Sequence, residues 1–337
     1  MKKCFIIVAL LVLLVFSAAA QTNGFMGTGF VYGLSFGLLS GTSDEIVYIG
    51  NKGNEKLSQL LWHFNPVLYA GINLNVNFPV QKNWGFFVDG AAKYGFPSEF
   101  GTMEDYDWVL WHYFGFRYLD WVSHYSVSDN KTESAFLVDA SFGSFFAVSN
   151  VYQIRAFISY SYMGWSWTAK GGSLLYLFEE TDGDNTWVTG YGGHVLEGRV
   201  IYYPDSVDVV KYRQKWNMVW AGVSLYGNFY PHINFNLSLK LSPLVWLNAV
   251  DNHLIRDPPM TVTTRSFGGL AFEPGLDLNF NMGRYVSLGL NIKYRQILGV
   301  RGDGVYEHEG GQSFIHVNGI GGGYSAFDFN VGARGRF

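Results

Sequence analysis

A chain of 337 residues that is 18% aromatic and only 15% charged, with 41 glycines, departs from ordinary soluble composition. Its 23 Lys and Arg against 27 Asp and Glu give a formal charge of −4, an acidic balance that argues against nucleic acid as a partner. The only cysteine, Cys4, rules out a disulfide framework.

The first residues read as a secretory signal. Lys2 and Lys3 open it, an apolar run extends from Phe5 to Phe16, and Ala18-Ala19-Ala20 forms a small-residue cleavage site. The expected division is a cleaved signal over 1–20 and one domain over 21–337. Removing Lys2 and Lys3 leaves 21 basic residues against 27 acidic ones and a formal charge of −6. Cys4 would leave with the signal, and with it any thiolate nucleophile or ligand.

Beyond the signal no apolar run is long enough to span a bilayer as a helix. Apolar and polar residues alternate instead, as in Ile72-Asn73-Leu74-Asn75-Val76-Asn77-Phe78 and Val286-Ser287-Leu288-Gly289-Leu290-Asn291-Ile292. Period two sustained over about ten residues marks a membrane β-strand, apolar toward lipid and polar toward the lumen. The spacing predicts about ten strands, near 26–48, 56–79, 84–98, 133–149, 152–178, 208–230, 233–250, 260–281, 285–301 and 322–337. In the last, Phe327, Phe329, Val331, Ala333 and Phe337 share one parity, and Asp328, Asn330, Arg334 and Arg336 the other. The expected fold is an all-β transmembrane antiparallel up-and-down barrel extended above the membrane. Aromatic girdles at two lipid interfaces explain the aromatic excess, which a secreted sandwich does not.

Short breaks at 79–83, 149–150, 230–232 and 281–284 suit periplasmic turns. Longer breaks near 99–132, 179–207, 251–259 and 302–321 read as extracellular loops. A barrel of about ten strands is filled by its own side chains, so an open pore is not expected.

Two acid-bearing pairs fall in the longer breaks: Asp105 with Asp107, and Asp251 with His253. Their i, i+2 spacing puts both members of a pair on one side of an extended strand. Brought face to face, three carboxylates and an imidazole would surround one water and deprotonate it. Taken alone, Asp105-x-Asp107 is more often a solvated turn or a weak calcium site than a catalytic pair, and His253 is more often a polar surface residue. Arg301-Gly302-Asp303 reads as structural, and Asp182-Gly183-Asp184-Asn185 lacks the downstream ligands of a calcium loop.

The ordered set of motifs resembles the omptin family of outer-membrane proteases. Leu39-Ser40-Gly41-Thr42-Ser43-Asp44-Glu45-Ile46-Val47-Tyr48 and Lys56-Leu57-Ser58-Gln59-Leu60-Leu61-Trp62-His63-Phe64-Asn65 resemble its first two strands. Asp105-Tyr106-Asp107-Trp108, Thr168-Ala169-Lys170-Gly171-Gly172-Ser173 and Asp251-Asn252-His253 follow in the family's order, so the resemblance covers essentially the whole mature chain. It implies an aspartate/histidine endopeptidase in the bacterial outer membrane, its active site facing outward. Asp251 would orient His253, His253 would take a proton from water, and Asp105 and Asp107 would hold that water, with no metal and no cofactor. Ser123 has no nucleophilic role in this scheme, and His124 corresponds to a histidine of the family's active-site rim without a catalytic role.

The same resemblance implies peptide or protein substrates, cationic ones above all, and a monomer. Glu45 would bind a basic residue before the scissile bond. The family's second pocket acid has no counterpart in Asn248-Ala249-Val250, which relaxes that preference. Tyr160, Tyr162 and Gly164 stand where the family's lipopolysaccharide site has a Tyr, a Glu and an Arg, which speaks against dependence on lipopolysaccharide. The alternative is a non-enzymatic adhesin or receptor on the same scaffold, binding through the loops near 109–132 and 179–207.

Overall fold

The computed structural model describes residues 29–336 apart from 50–54, 109–121, 180–187, 192–193 and positions 231, 257, 284 and 312, with backbone alone over 176–179, 188–191 and 194–199. The expected signal segment, the closing Phe337 and Asp182-Gly183-Asp184-Asn185 lie outside the described residues. Thirteen strands follow in chain order: β1 (Gly29–Tyr48), β2 (Lys56–Gln81), β3 (Trp84–Gly95), β4 (Thr102–Asp107), β5 (His124–Ala147), β6 (Tyr152–Glu179), β7 (Val188–Tyr191), β8 (His194–Tyr230), β9 (Ile233–His253), β10 (Met260–Gly268), β11 (Leu270–Asn281), β12 (Val286–His308) and β13 (Ser313–Arg336).

Antiparallel pairing runs from neighbour to neighbour and closes where β1 meets β13, from Val31 opposite Arg336 to Val47 opposite Ile320. β3 and β4 both pair with β2 and β5, so they fill one place in the ring. β10 and β11 likewise share a place between β9 and β12, and β7 pairs only with β8. The ring therefore has ten places, the even number a bacterial barrel requires. The break between β10 and β11 falls at Gly268 and Gly269, whose φ of +117° and +77° suits residues without a Cβ.

The expected alternation is present. Leu34 and Phe36 are 61% and 64% exposed on the outer face of β1, while Ser35 between them is buried. Phe327, Phe329 and Val331 stand outward on β13, and Asn330 is buried inward. All four expected short turns, after β2, β5, β8 and β11, lie at one end.

The longer breaks differ from expectation. The segments around both acid pairs are strand, with Asp105 and Asp107 on β4 and Asp251 and His253 at the end of β9. The wall continues above the lipid belt because the ladder needs only backbone partners. The last strongly exposed apolar residue before Asp251 on β9 is Leu244, seven residues below, or about 23 Å along the strand.

The lumen is filled in two layers. In the membrane, Arg295 binds Glu273 and reaches Asp139 at 3.0 Å, Lys240 holds Glu273 at 2.6 Å, and Lys93 binds Asp328. Above these, Trp62, Trp167 and Tyr212 stack with centroids 5.3–6.0 Å apart, and Phe64, Trp165 and Tyr324 extend the stack. Such pairs add about 0.5–1.5 kcal/mol each beyond burial and put a solid floor beneath the outer mouth.

Candidate functional site

The mouth is built where neighbouring ring places bring inward-facing residues to one height. On β4, Met103 packs into the core, and the two-residue period carries Asp105 and Asp107 up the same inner face. Asp105 lies opposite Leu60 of β2 and Ser126 of β5, and Leu60 lies opposite Glu45 of β1. On the other wall, Val245, Leu247 and Ala249 are buried along β9, and the same parity continues to Asp251 and His253. Asp251 is flanked by Tyr212 of β8 and Val262 of β10, and His253 by Val210 and Met260.

Asp251 is 0% exposed and His253 7%. His253 Nε2 lies 2.9 Å from Asp251 Oδ2, a close polar contact that falls short of an aligned hydrogen bond. Only a hydrogen on Nε2 makes this contact attractive to a carboxylate, and that tautomer leaves the lone pair on Nδ1. Among the described residues none donates a hydrogen bond to either carboxylate oxygen of Asp251, or to Oε2 of Glu45, itself 2% exposed. Buried carboxylate oxygens are ordinarily satisfied, so these oxygens keep acceptor capacity for a ligand or water.

The two walls sense each other. Burial holds the Asp105 carboxyl well above the usual carboxylate range, the negative charges of Asp107 and Asp251 add to that, and Arg256 and the Ser58 hydroxyl oppose it. Glu45 is raised well above its ordinary value by burial, then by Asp251, with a Tyr212 hydrogen bond opposing and Asp105 and Asp44 adding. The charge of Asp251 thus bears on both Asp105 and Glu45, which joins Glu45 to the same acidic cluster. Ser58 Oγ donates to Asp105 Oδ1 at 3.3 Å.

Beside Asp107, the Ser123 hydroxyl donates to the Asp107 carbonyl oxygen at 2.9 Å and sits 3.0 Å from His124 Nδ1. His124 lies opposite Asp107 in the ladder, and burial lowers its pKa against the opposing pull of Asp107. The Ser123 hydroxyl thus ties the start of β5 to the end of β4. Arg301 and Asp303 are engaged with Asn318, Arg301 donating to its carbonyl and Asp303 accepting from its N–H, and Arg301 lies over the Tyr48 ring. These contacts tie the tripeptide into the β12–β13 hairpin and to β1.

Sequence reasoning overlooked Tyr212 and Arg256. Tyr212 was findable by parity, since Tyr212, Gln214, Trp216, Met218 and Trp220 alternate inward along β8. Arg256 carried no signal beyond its place three residues after His253. Among the described residues no grouping of His, Cys, Asp and Glu suits a metal ion.

Comparison with known proteins places the fold. The omptin family model matches residues 27–337. Protease 7 of Escherichia coli strain K12 is 24% identical over 309 residues, covering 90% of this chain and 89% of that protein. The plasminogen activator of Yersinia pestis is 26% identical over 273 residues, covering 76% of this chain and 74% of that protein. The crystal structure of outer membrane protease OmpT from Escherichia coli superposes with a TM-score of 0.77 at 17% identity, covering 95% of this chain and all of that one. With its closed ten-place barrel, lipid-facing alternation and full-length family match, this outer-membrane protein belongs to the omptin family.

Proposed function

We propose that this barrel is an endopeptidase that cleaves exposed peptides by water attack, with Asp251 orienting His253, His253 Nδ1 taking the water proton, and Asp105 and Asp107 holding the water from the opposite wall. The observation that carries this reading is the buried Asp251–His253 contact at 2.9 Å facing an Asp105 carboxyl that senses Asp251. Relatives named as proteases support it. The raised affinity of Asp105 for its proton makes it the donor to the oxyanion that develops on the scissile carbonyl. Nucleophile, base and acid are then all present without a covalent intermediate.

Glu45 takes the role of anchor for a basic side chain. Its unpartnered Oε2 is suited to pair an ammonium or guanidinium entering the mouth. Two residues before Asp251 the inward position is Ala249, 2% exposed, so this pocket offers one acid on that wall side rather than two. The preference for basic residues is accordingly relaxed.

Lipid contact takes a different form from that expected of the strand 160–164. Tyr160 Oη donates to Asn217 at 2.5 Å, and β8 sets Lys215 opposite Gly164 and Arg213 opposite Ser166, both exposed above the lipid-facing Val219. Lipid phosphates would meet these two cations, and activity is expected to gain only modestly from lipopolysaccharide. The deciding experiment is cleavage of cationic peptides by refolded protein, with Asp105→Ala and His253→Ala as controls that stay folded. Unchanged cleavage in both, or none in the parent protein with surface binding retained, would instead favour the adhesin reading.

A further inference from the structure

We propose that Arg256 is a specificity-determining residue that receives a carboxylate of the bound peptide, on the His253 side of the mouth and away from Glu45. This rests on the peptide-cleaving reading of the cleft. The shared chemistry is a carboxylate, supplied by an acidic side chain or by a nearby peptide C-terminus.

The turn that carries Arg256 is fixed in place. Leu254 N donates to Val209 O at 3.0 Å, Ile255 packs against the lumenal core, and Glu309 N donates to Pro259 O at 3.0 Å. Arg256 Nη1 lies 4.0 Å from Met260 Sδ, and Met260 is the ladder partner of His253. The guanidinium is therefore one ladder step from the proposed base, on a short, pinned turn. It is exposed, and among the described residues it forms no ion pair.

Charge complementarity gives the site its ligand. Asp105, Asp107, Asp251 and Glu45 form an acidic cluster, and the charge of Arg256 is felt on three other strands, at Asp105, His124 and Tyr306. A peptide lying across the mouth would meet acid at Glu45 and a cation at Arg256. Planar guanidinium is suited to bidentate carboxylate recognition. A substrate with a basic residue at one side of the scissile bond and a carboxylate a few residues away satisfies both.

The test uses synthetic peptides with one Arg before the scissile bond. One pair of twins carries Asp or Asn at each of three positions on either side, with an amidated C-terminus. Another pair ends in a free or an amidated carboxyl three residues beyond the bond. The parent protein is expected to favour a carboxylate twin by roughly twofold to fivefold in kcat/KM, the range of an exposed ion pair. The position and the twin pair that respond identify the source. Arg256→Gln should bring the ratio to about 1, Arg256→Glu should invert it, and Arg256→Lys should keep part of it. If Arg256→Gln slows both twins equally and shifts only the acid limb of the pH profile, Arg256 acts through Asp105 alone and the proposal is overturned. Fluorescence anisotropy of the twins on Asp105→Asn protein separates the two readings. Tighter binding of the carboxylate twin that disappears with Arg256→Gln supports the subsite even where no peptide is cut, and equal binding overturns it.

Discussion

Glu45→Gln tests the pocket and the energetics of its buried charge in one variant. The substitution keeps the shape of a side chain that is 2% exposed but removes a charge whose Oε2 has no protein partner. A hydrogen bond to a charged group contributes about 1.5–3 kcal/mol, so kcat/KM for peptides with Arg or Lys before the scissile bond should fall about 10- to 150-fold. Peptides with a neutral residue there should change less than about threefold. Stability should move the other way. Burial and then Asp251 raise Glu45 well above the ordinary glutamate range, so the folded state binds its proton more tightly than the unfolded chain does. The stability present below the ordinary glutamate range is therefore lost as pH rises toward the folded value. Glutamine carries no such loss, so Glu45→Gln should gain about 1–3 kcal/mol over the parent protein at about pH 8 and much less at about pH 4. Peptide kinetics and urea midpoints in detergent micelles read both effects. Undiminished cleavage after Arg together with an unchanged midpoint would refute the assignment of Glu45 as a buried, unpaired pocket acid.

Asp105→Asn and His253→Ala should each lower kcat by about 10²–10⁴, the range of general acid–base catalysis, with the heat-modifiable gel shift of a folded barrel retained. Asp251→Asn should do the same chiefly through kcat, because the orientation of His253 is lost while the peptide contacts remain; an effect confined to KM would count against that role. Cleavage by refolded protein should be insensitive to a chelator such as 1,10-phenanthroline, checked by initial rates before and after dialysis. Ala249→Asp should raise the preference for Arg over neutral residues about tenfold by adding a second acid, at some cost in unfolding midpoint. Glu273→Ala, deep in the lumen, leaves Lys240 and Arg295 with Asp139 as their one shared carboxylate; denaturation should show a loss of about 3 kcal/mol while the peptide preference stays unchanged.

The barrel was legible because lipid imposes a rule on every strand it touches. Where β1, β9 and β13 cross the belt, outward residues must be apolar and inward ones need not be, and the two-residue period follows. Above the belt that rule lapses. The segments around Asp105 and His253 therefore read as loops, although they continue the ladder as β4 and the end of β9. Water on the outer face accepts either kind of residue, so the period fades while the backbone hydrogen bonds persist. The break at Gly268-Gly269 and the separation of β3 from β4 were invisible for the same reason: they interrupt a strand without leaving its place in the ring.

The candidate site divides along similar lines. That Asp105 and Asp107 share a face, and Asp251 and His253 another, follows from spacing alone. Their chemistry follows from residue type. Which faces meet does not, because residues about 146 positions apart are joined only by ring closure and by the register of every intervening ladder. The sequence by itself determined an alternating, lipid-facing cylinder with acid–base pairs at its outer end. Only tertiary structure decided that the charge of Asp251 bears on Glu45 and Asp105, that Tyr212 and the tryptophan stack pack beside them, and that the charge of Arg256 bears on Asp105, since burial and charge coupling arise from strands brought to one height.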